Sequence, residues 1–180
     1  MWTLYLLSMN PETQDRLFAE VNGLLGQRTT TKEDIPDLVY TDKVIHESMR
    51  VFPPAWSLMV RKALEDLQVG DTTIPKGSVL MIPMWVVHRN PEIYQDPLRF
   101  DPERFDGDWK RYYPKYAFFP FGGGPHVCVG SHLAMFEGHL MLPMMVQRYR
   151  YEYVPQPDPQ LQALLTLRPK DGLNLKVISR

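Results

Sequence analysis

Apolar residues recur at helical spacing in several stretches of the chain and alternate loosely in one other. Leu17, Val21, Leu24 and Leu25 recur at helical spacing, the stripe of an amphipathic helix. Pro11 suits the first turn of that helix, Glu12 complements its dipole, and Gly26 closes it. Before it, Trp2 to Leu7 is an apolar run ended by the turn signal Asn10-Pro11. The opening MWTLYLLSM lacks the positive start and cleavage site of a signal peptide and is too short to span a bilayer. It reads as the end or middle of a core helix. Thr29 to Asp37 reads as a polar linker. Val44, Ile45, Ser48 and Val51 make the next helical face, with Thr41 or Asp42 as its cap and Pro53-Pro54 as its stop.

From Ser57 to Pro83 the period shortens. Leu58, Val60, Leu67, Val69, Ile74, Val79, Met81 and Ile82 alternate between glycines and prolines, which predicts short strands. Residues 84 to 125 predict a short helix and then an irregular run rich in Pro, Asp, aromatics and Gly. So long a run inside a compact domain is usually functional. Ser131 to Arg148 predicts the last long helix, with Leu133, Phe136, Leu140 and Met144 on one face and Pro143 removing one backbone bond. Tyr149 to Val154 predicts a strand, and Leu161 to Lys176 a hairpin turning near Lys170-Asp171-Gly172. The sum is an α+β fold, mainly helical, without an internal domain boundary.

A length of 180 residues suffices for one domain with its own core. A formal net charge of −1 offers no whole-chain argument for nucleic acid or an anionic membrane. A single cysteine excludes an internal disulfide and any paired-cysteine metal site, and it fits a reducing, cytoplasmic setting.

That cysteine lies in the most informative segment, Phe119-Pro-Phe-Gly-Gly-Gly-Pro-His-Val-Cys128-Val-Gly130. Three glycines let the backbone turn tightly and approach a flat ligand. A helix opening just after the cysteine brings unpaired N–H groups and a positive dipole end, both favourable to a thiolate. The same N–H groups can tune a metal bound by the sulfur. Taken as an isolated residue, Cys128 reads as an inert buried thiol. A zinc site built on His126 and Cys128 is a further reading, but it has no second cysteine and no spaced histidine pair to complete it.

The segment resembles the cysteine-loop signature of the cytochromes P-450. Phe121, Gly122, Gly124, His126, Cys128 and Gly130 match it position by position, with His126 where arginine is commoner. Three further segments match in family order: Glu47-Ser-Met-Arg50, Pro102-Glu103-Arg104-Phe105, and Arg61 beyond the Pro53-Pro54 turn. The resemblance implies the C-terminal, haem-ligating portion of the cytochrome P-450 fold over residues 1–180. Cys128 is then the axial ligand of iron in haem b (iron protoporphyrin IX), with Phe121, Gly122 and Gly130 around it. His126 and Arg61 become partners of the haem propionates, since a guanidinium matches a carboxylate with two parallel bonds. Glu47, Arg50 and Arg104 become a buried charge cluster that locks the fold. His88-Arg89-Asn90-Pro91 also resembles a family segment and takes a structural role; His46, His132 and His139 read as surface or packing residues.

The resemblance further implies a haem-thiolate monooxygenase that hydroxylates an apolar organic substrate with O2. Its electrons come from a ferredoxin- or flavodoxin-like donor, docked near Lys110, Arg111 and Lys115. Substrate contacts fall on Ala55, Trp56, Ser57, Leu58 and Met59 and on Leu165 and Thr166. The family's oxygen-binding helix ends near where this chain begins, and its acid–alcohol pair has no counterpart before residue 12. The alternative is therefore a truncated, non-catalytic fragment that binds haem weakly or not at all.

Overall fold

The computed structural model describes all 180 residues. Its helices are α1 (Trp2–Met9), α2 (Pro11–Leu25), α3 (Val39–Val51), α4 (Met84–Val87) and α5 (Ser131–Arg148). Eight short strands complete it: β1 (Arg61–Lys62), β2 (Leu67–Val69), β3 (Thr72–Ile74), β4 (Val79–Leu80), β5 (Tyr149–Tyr153), β6 (Leu161–Ala163), β7 (Leu167–Pro169) and β8 (Leu175–Ser179). They pair antiparallel in twos, β1 with β4, β2 with β3, β5 with β8 and β6 with β7. This is an α+β fold in which helices carry the core and hairpins decorate it. No helix is long and apolar enough to cross a membrane.

The core gathers where α1, α2, α3 and α5 meet. Leu7, Leu17, Val21, Val44 and Val146 are fully buried there, with Leu142 close to it. The predicted stripes of α2 and α3 therefore do pack inward, apart from Leu24, which is exposed. Gln14 of α2 is also buried. Its amide donates to the carbonyls of Leu7 and Tyr151 (3.2 and 2.8 Å) and accepts from the Tyr151 N–H (2.7 Å). One side chain thus satisfies backbone groups of α1 and β5 that water cannot reach.

Four local expectations are corrected. Thr29 to Asp37 is not merely a linker: Lys32–Asp37 is a 3-10 turn, opened by a reciprocal bond between Thr31 and Asp34. Neither Thr41 nor Asp42 caps α3, which starts two residues earlier. Glu20 of α2 does so from a distance, accepting from the backbone N–H groups of Tyr40 and Thr41. The last hairpin turns at Leu164–Thr166, between β6 and β7, and Gly172 marks a separate turn leading to β8.

The fourth correction concerns α5. Leu133 and Phe136, placed on its core face by their spacing, are 61% and 41% exposed. The buried positions are His139, Leu142, Pro143 and Val146, and the inward face is turned away from Leu133, while Leu140 and Met144 are half-buried. The helix is apolar nearly all round, so periodicity alone does not choose a face. It also runs unbroken through Pro143.

His139 joins α5 to α3. Its Nε2 lies 3.1 Å from Asp42 Oδ1 and its Nδ1 2.7 Å from the Met135 carbonyl, while His46 meets the other Asp42 oxygen at 3.2 Å. Burial works to lower the His139 pKa; the Asp42 and Met135 bonds and the nearby carboxylates of Asp42 and Glu20 outweigh it, and the net shift is upward. A raised folded-state pKa contributes stability that is complete below the ordinary histidine value and lost as pH rises through the folded value. Raising the pH from about 6 to about 9 is expected to cost on the order of 1 kcal/mol, the scale of one charge-assisted bond. Urea midpoints measured across that range check it, and the slope should flatten in His139→Gln.

Candidate functional site

The cysteine loop is shaped by its glycines. Gly122 and Gly124 take φ of +77° and +67°, a region that side chains disfavour. Gly123 has an extended backbone but no room: a Cβ there would lie 2.6 Å from the Tyr116 ring. Phe121 then accepts the Cys128 N–H at 2.8 Å, closing the loop on itself. Gly130 is the N-cap of α5, where a Cβ would lie 3.8 Å from Cys128 Sγ. The thiol is exposed at the mouth of this turn.

A cavity of about 490 Å³ opens over it. Phe121, Gly122, His126 and Cys128 form one wall; Arg61, Leu58, Met59, Met84, Leu165 and Thr166 form much of the rest. Such a volume, mostly apolar with a few polar groups, is typical of a small-molecule or cofactor site. The expected residues Ala55 and Ser57 line it too.

Trp56 is not among the lining residues. Its indole N–H donates to the Leu164 carbonyl at 2.8 Å, holding the tip of the β6–β7 hairpin against the 54–58 segment. The Leu167 N–H to Pro54 carbonyl bond (2.7 Å) ties the same two segments. Tryptophan has the reach and the single donor for that task. Met49, Met84 and Pro120 line the cavity without having been singled out. No spacing marks them, since they come from three separate segments.

Arg61 sits in β1 opposite Leu80, with Nη1 donating to the Met59 and Val60 carbonyls at 2.9 and 3.3 Å. Gly130 lies beside the sulfur and outside the cavity lining.

Behind the cysteine loop lies a dense ionic knot. Glu47 and Arg50 are both 0% exposed. Arg50 donates to both Glu47 oxygens, at 2.6 and 2.7 Å, and to the carbonyls of His88, Pro97 and Arg99. Arg104 approaches Glu47 at 3.4 Å and donates to the Asp96 carbonyl, while the Asp101 N–H also donates to Glu47. Burial raises the Glu47 carboxyl, and Arg50, Asp101 and Arg104 pull against it. A charge this deep persists only when so thoroughly partnered. Arg89 packs nearby over the Trp85 ring, 3.1 Å from its centroid. Burial first, then the Arg50 charge, lowers its pKa to about 9.

A mainly helical α+β core, a glycine-turned loop presenting one thiol to an apolar cavity, and a buried Glu–Arg pair together make up the site. Comparison with known proteins gives the family. The family model for cytochrome P-450 matches residues 1–177. Cyclooctat-9-en-7-ol 5-monooxygenase of Streptomyces melanosporofaciens is 39% identical over 154 residues, covering 86% of this chain and 33% of that protein. Probable cytochrome P-450 4s3 of Drosophila melanogaster is 38% identical over 181 residues, covering 99% and 34%. Cyclooctatin synthase of Streptomyces melanosporofaciens is 35% identical over 164 residues, covering 89% and 36%. The chain belongs to the cytochrome P-450 family, and it spans about a third of the length of the curated relatives it matches.

The family implies haem, and the residues here fit one. The donor set on the cavity is a single thiol, with His126 and Arg61 as groups able to meet carboxylates. The walls are apolar, and the loop beside the sulfur is glycine, where a Cβ at Gly122 would press on Leu58 at 3.2 Å.

Proposed function

We propose that the chain forms the thiolate-bearing side of a haem-thiolate monooxygenase acting on an apolar organic molecule. The observation that carries this reading is the sole thiol, Cys128, opening onto an apolar cavity whose rim holds His126 and Arg61. Haem b bound through a thiolate supplies O2 activation, because the thiolate pushes electron density that favours O–O cleavage. Cys128 Sγ is the ligand. Arg61 and His126 bind the propionates. Leu58, Phe121 and Leu165 exclude water, while Ala55, Ser57, Met59 and Thr166 face substrate. Glu47, Arg50 and Arg104 hold the fold beneath the loop and take no part in chemistry.

A second reading concerns the chain alone. The chain spans about a third of the length of the relatives it matches, and such chemistry needs a closed, dry site. The chain by itself then binds haem without efficient turnover. Reconstitution with haem, followed by a reduced carbon monoxide difference spectrum, tests the first reading: a thiolate-type band is expected, and its absence overturns the assignment. A band without product formation separates the second reading from the first.

Electrons come from a ferredoxin- or flavodoxin-like donor meeting Lys110, Arg111 and Lys115. Lys110 and Lys115 lie beside the rings of Trp109 and Tyr116, and Arg111 pairs with Asp108 at the surface. In a full-length protein, replacing all three with Gln should slow iron reduction several-fold at low salt, where charge steering is strongest. Stopped-flow reduction across a salt series measures it; unchanged rates would remove these residues from the docking surface.

A further inference from the structure

Between the ionic knot and the cysteine loop stands one histidine that joins them, through its carbonyl on one side and its ring on the other. His88 follows α4 and is 0% exposed. Its carbonyl accepts from Arg50 Nη1 at 2.8 Å, and its Nε2 lies 3.1 Å from the backbone N of Phe119. A backbone amide can only donate, so Nε2 carries the lone pair and the proton of the neutral ring sits on Nδ1. The rings of Phe118 and Phe119 pack on the imidazole at 5.2 and 5.1 Å.

From Phe119 the bonding continues into the loop. The Phe119 carbonyl accepts from Gly122 N at 2.8 Å, and the Phe121 carbonyl accepts from Cys128 N at 2.8 Å. The other end is equally fixed, since His88 N–H donates to the Met84 carbonyl at 2.9 Å and Met84 lines the cavity. One residue therefore connects the three: its backbone meets a buried guanidinium and the cavity-lining Met84, and its imidazole meets the start of the segment that ends at the thiol.

We propose that His88 is a positioning residue for Cys128: by accepting the Phe119 N–H inside the protein, it seats the cysteine loop against the Glu47–Arg50 cluster. The neutral acceptor is available across the physiological range. Burial, and then the charges of Arg50 and Arg89, hold the His88 pKa down at about 3. Phenylalanine would keep the aromatic packing and leave the Phe119 N–H buried without a partner. Glutamine can bring a carbonyl oxygen near the place of Nε2.

The identification of Cys128 as ligand rests on the proposed function; the seating of the loop does not. Two measurements keep them apart. Amide exchange on the haem-free chain reads the bond directly. In His88→Phe, Phe119 should exchange at least about tenfold faster, the scale of one lost buried hydrogen bond, while α3 amides stay unchanged. In His88→Gln, Phe119 protection should return to within about twofold of the parent. The second measurement is the share of thiolate-type band after haem loading, expected to fall in His88→Phe and recover in His88→Gln. Unchanged Phe119 exchange in His88→Phe overturns the proposal, and so does an equal loss of protection along the whole chain, which would mark His88 as a general packing residue. Should His88→Phe fail to fold, His88→Gln decides alone: Phe119 protection kept supports the seating, and protection lost in a folded chain overturns it. If the parent chain shows no thiolate band, the functional reading fails and the exchange result still stands.

Discussion

Replacing Arg50 with alanine is expected to abolish stable folding of this chain. The guanidinium makes two short bonds to Glu47 and one each to the carbonyls of His88, Pro97 and Arg99, with no exposed surface. Its removal leaves the buried Glu47 carboxyl with only Arg104 and the Asp101 N–H, and takes the donor from three backbone carbonyls. Breaking one partner of a buried pair costs about 3–5 kcal/mol, set against a total stability of about 5–15 kcal/mol. Arg50→Lys should recover little, because an ammonium cannot reproduce the planar fork that spans Glu47 and three carbonyls. Glu47→Gln should move in the same direction by less, since the amide keeps one acceptor for Arg50 and loses the charge. Urea midpoints and soluble yield measure all three. An Arg50→Ala chain that unfolds at the parent midpoint would remove the cluster from the stability of the fold.

The second large effect is spectroscopic. Cys128→Ala should eliminate the thiolate-type band of the reduced carbon monoxide complex completely, because the sequence holds no other thiol. Stability should barely change: the side chain is exposed, and its deletion leaves no buried void. The contrast with Arg50→Ala is diagnostic. One substitution removes the band from a folded chain; the other removes the fold. Persistence of the band in Cys128→Ala would mean that another group holds the iron. Cys128→Ser separates ligand chemistry from size, since the hydroxyl keeps the shape and lacks the soft thiolate that suits this iron.

Much of the site was legible along the chain because its parts are local. The glycines of residues 122–124, His126 and Cys128 lie within one loop, and the backbone geometry of that loop demands glycine where the spacing places it. Glu47 and Arg50 are three apart on one helix, so their side chains meet by the geometry of α3 alone. That Arg104 joins them is a long-range fact, carried at the sequence level by family resemblance and not by period. Trp56 shows the opposite case. Its place in an apolar stretch beside the cavity is the same as that of Leu58, yet its indole turns to Leu164, 108 residues further on.

By itself, the sequence determined the helical stripes of α2 and α3, the strand-rich stretch from residue 57, the family, and the loop that presents Cys128. Each depends on neighbours within a few residues or on an ordered string of motifs. Only the tertiary structure decided which face of α5 packs inward, because an apolar surface on both sides leaves the choice to the elements that meet it. The same holds for Glu20 capping α3, for Asp42 meeting His139 across 97 residues, and for His88 accepting from Phe119. Polar side chains buried by folding must find partners wherever the chain brings donors and acceptors together. That requirement acts on distances in space, and spacing along the sequence carries no record of it.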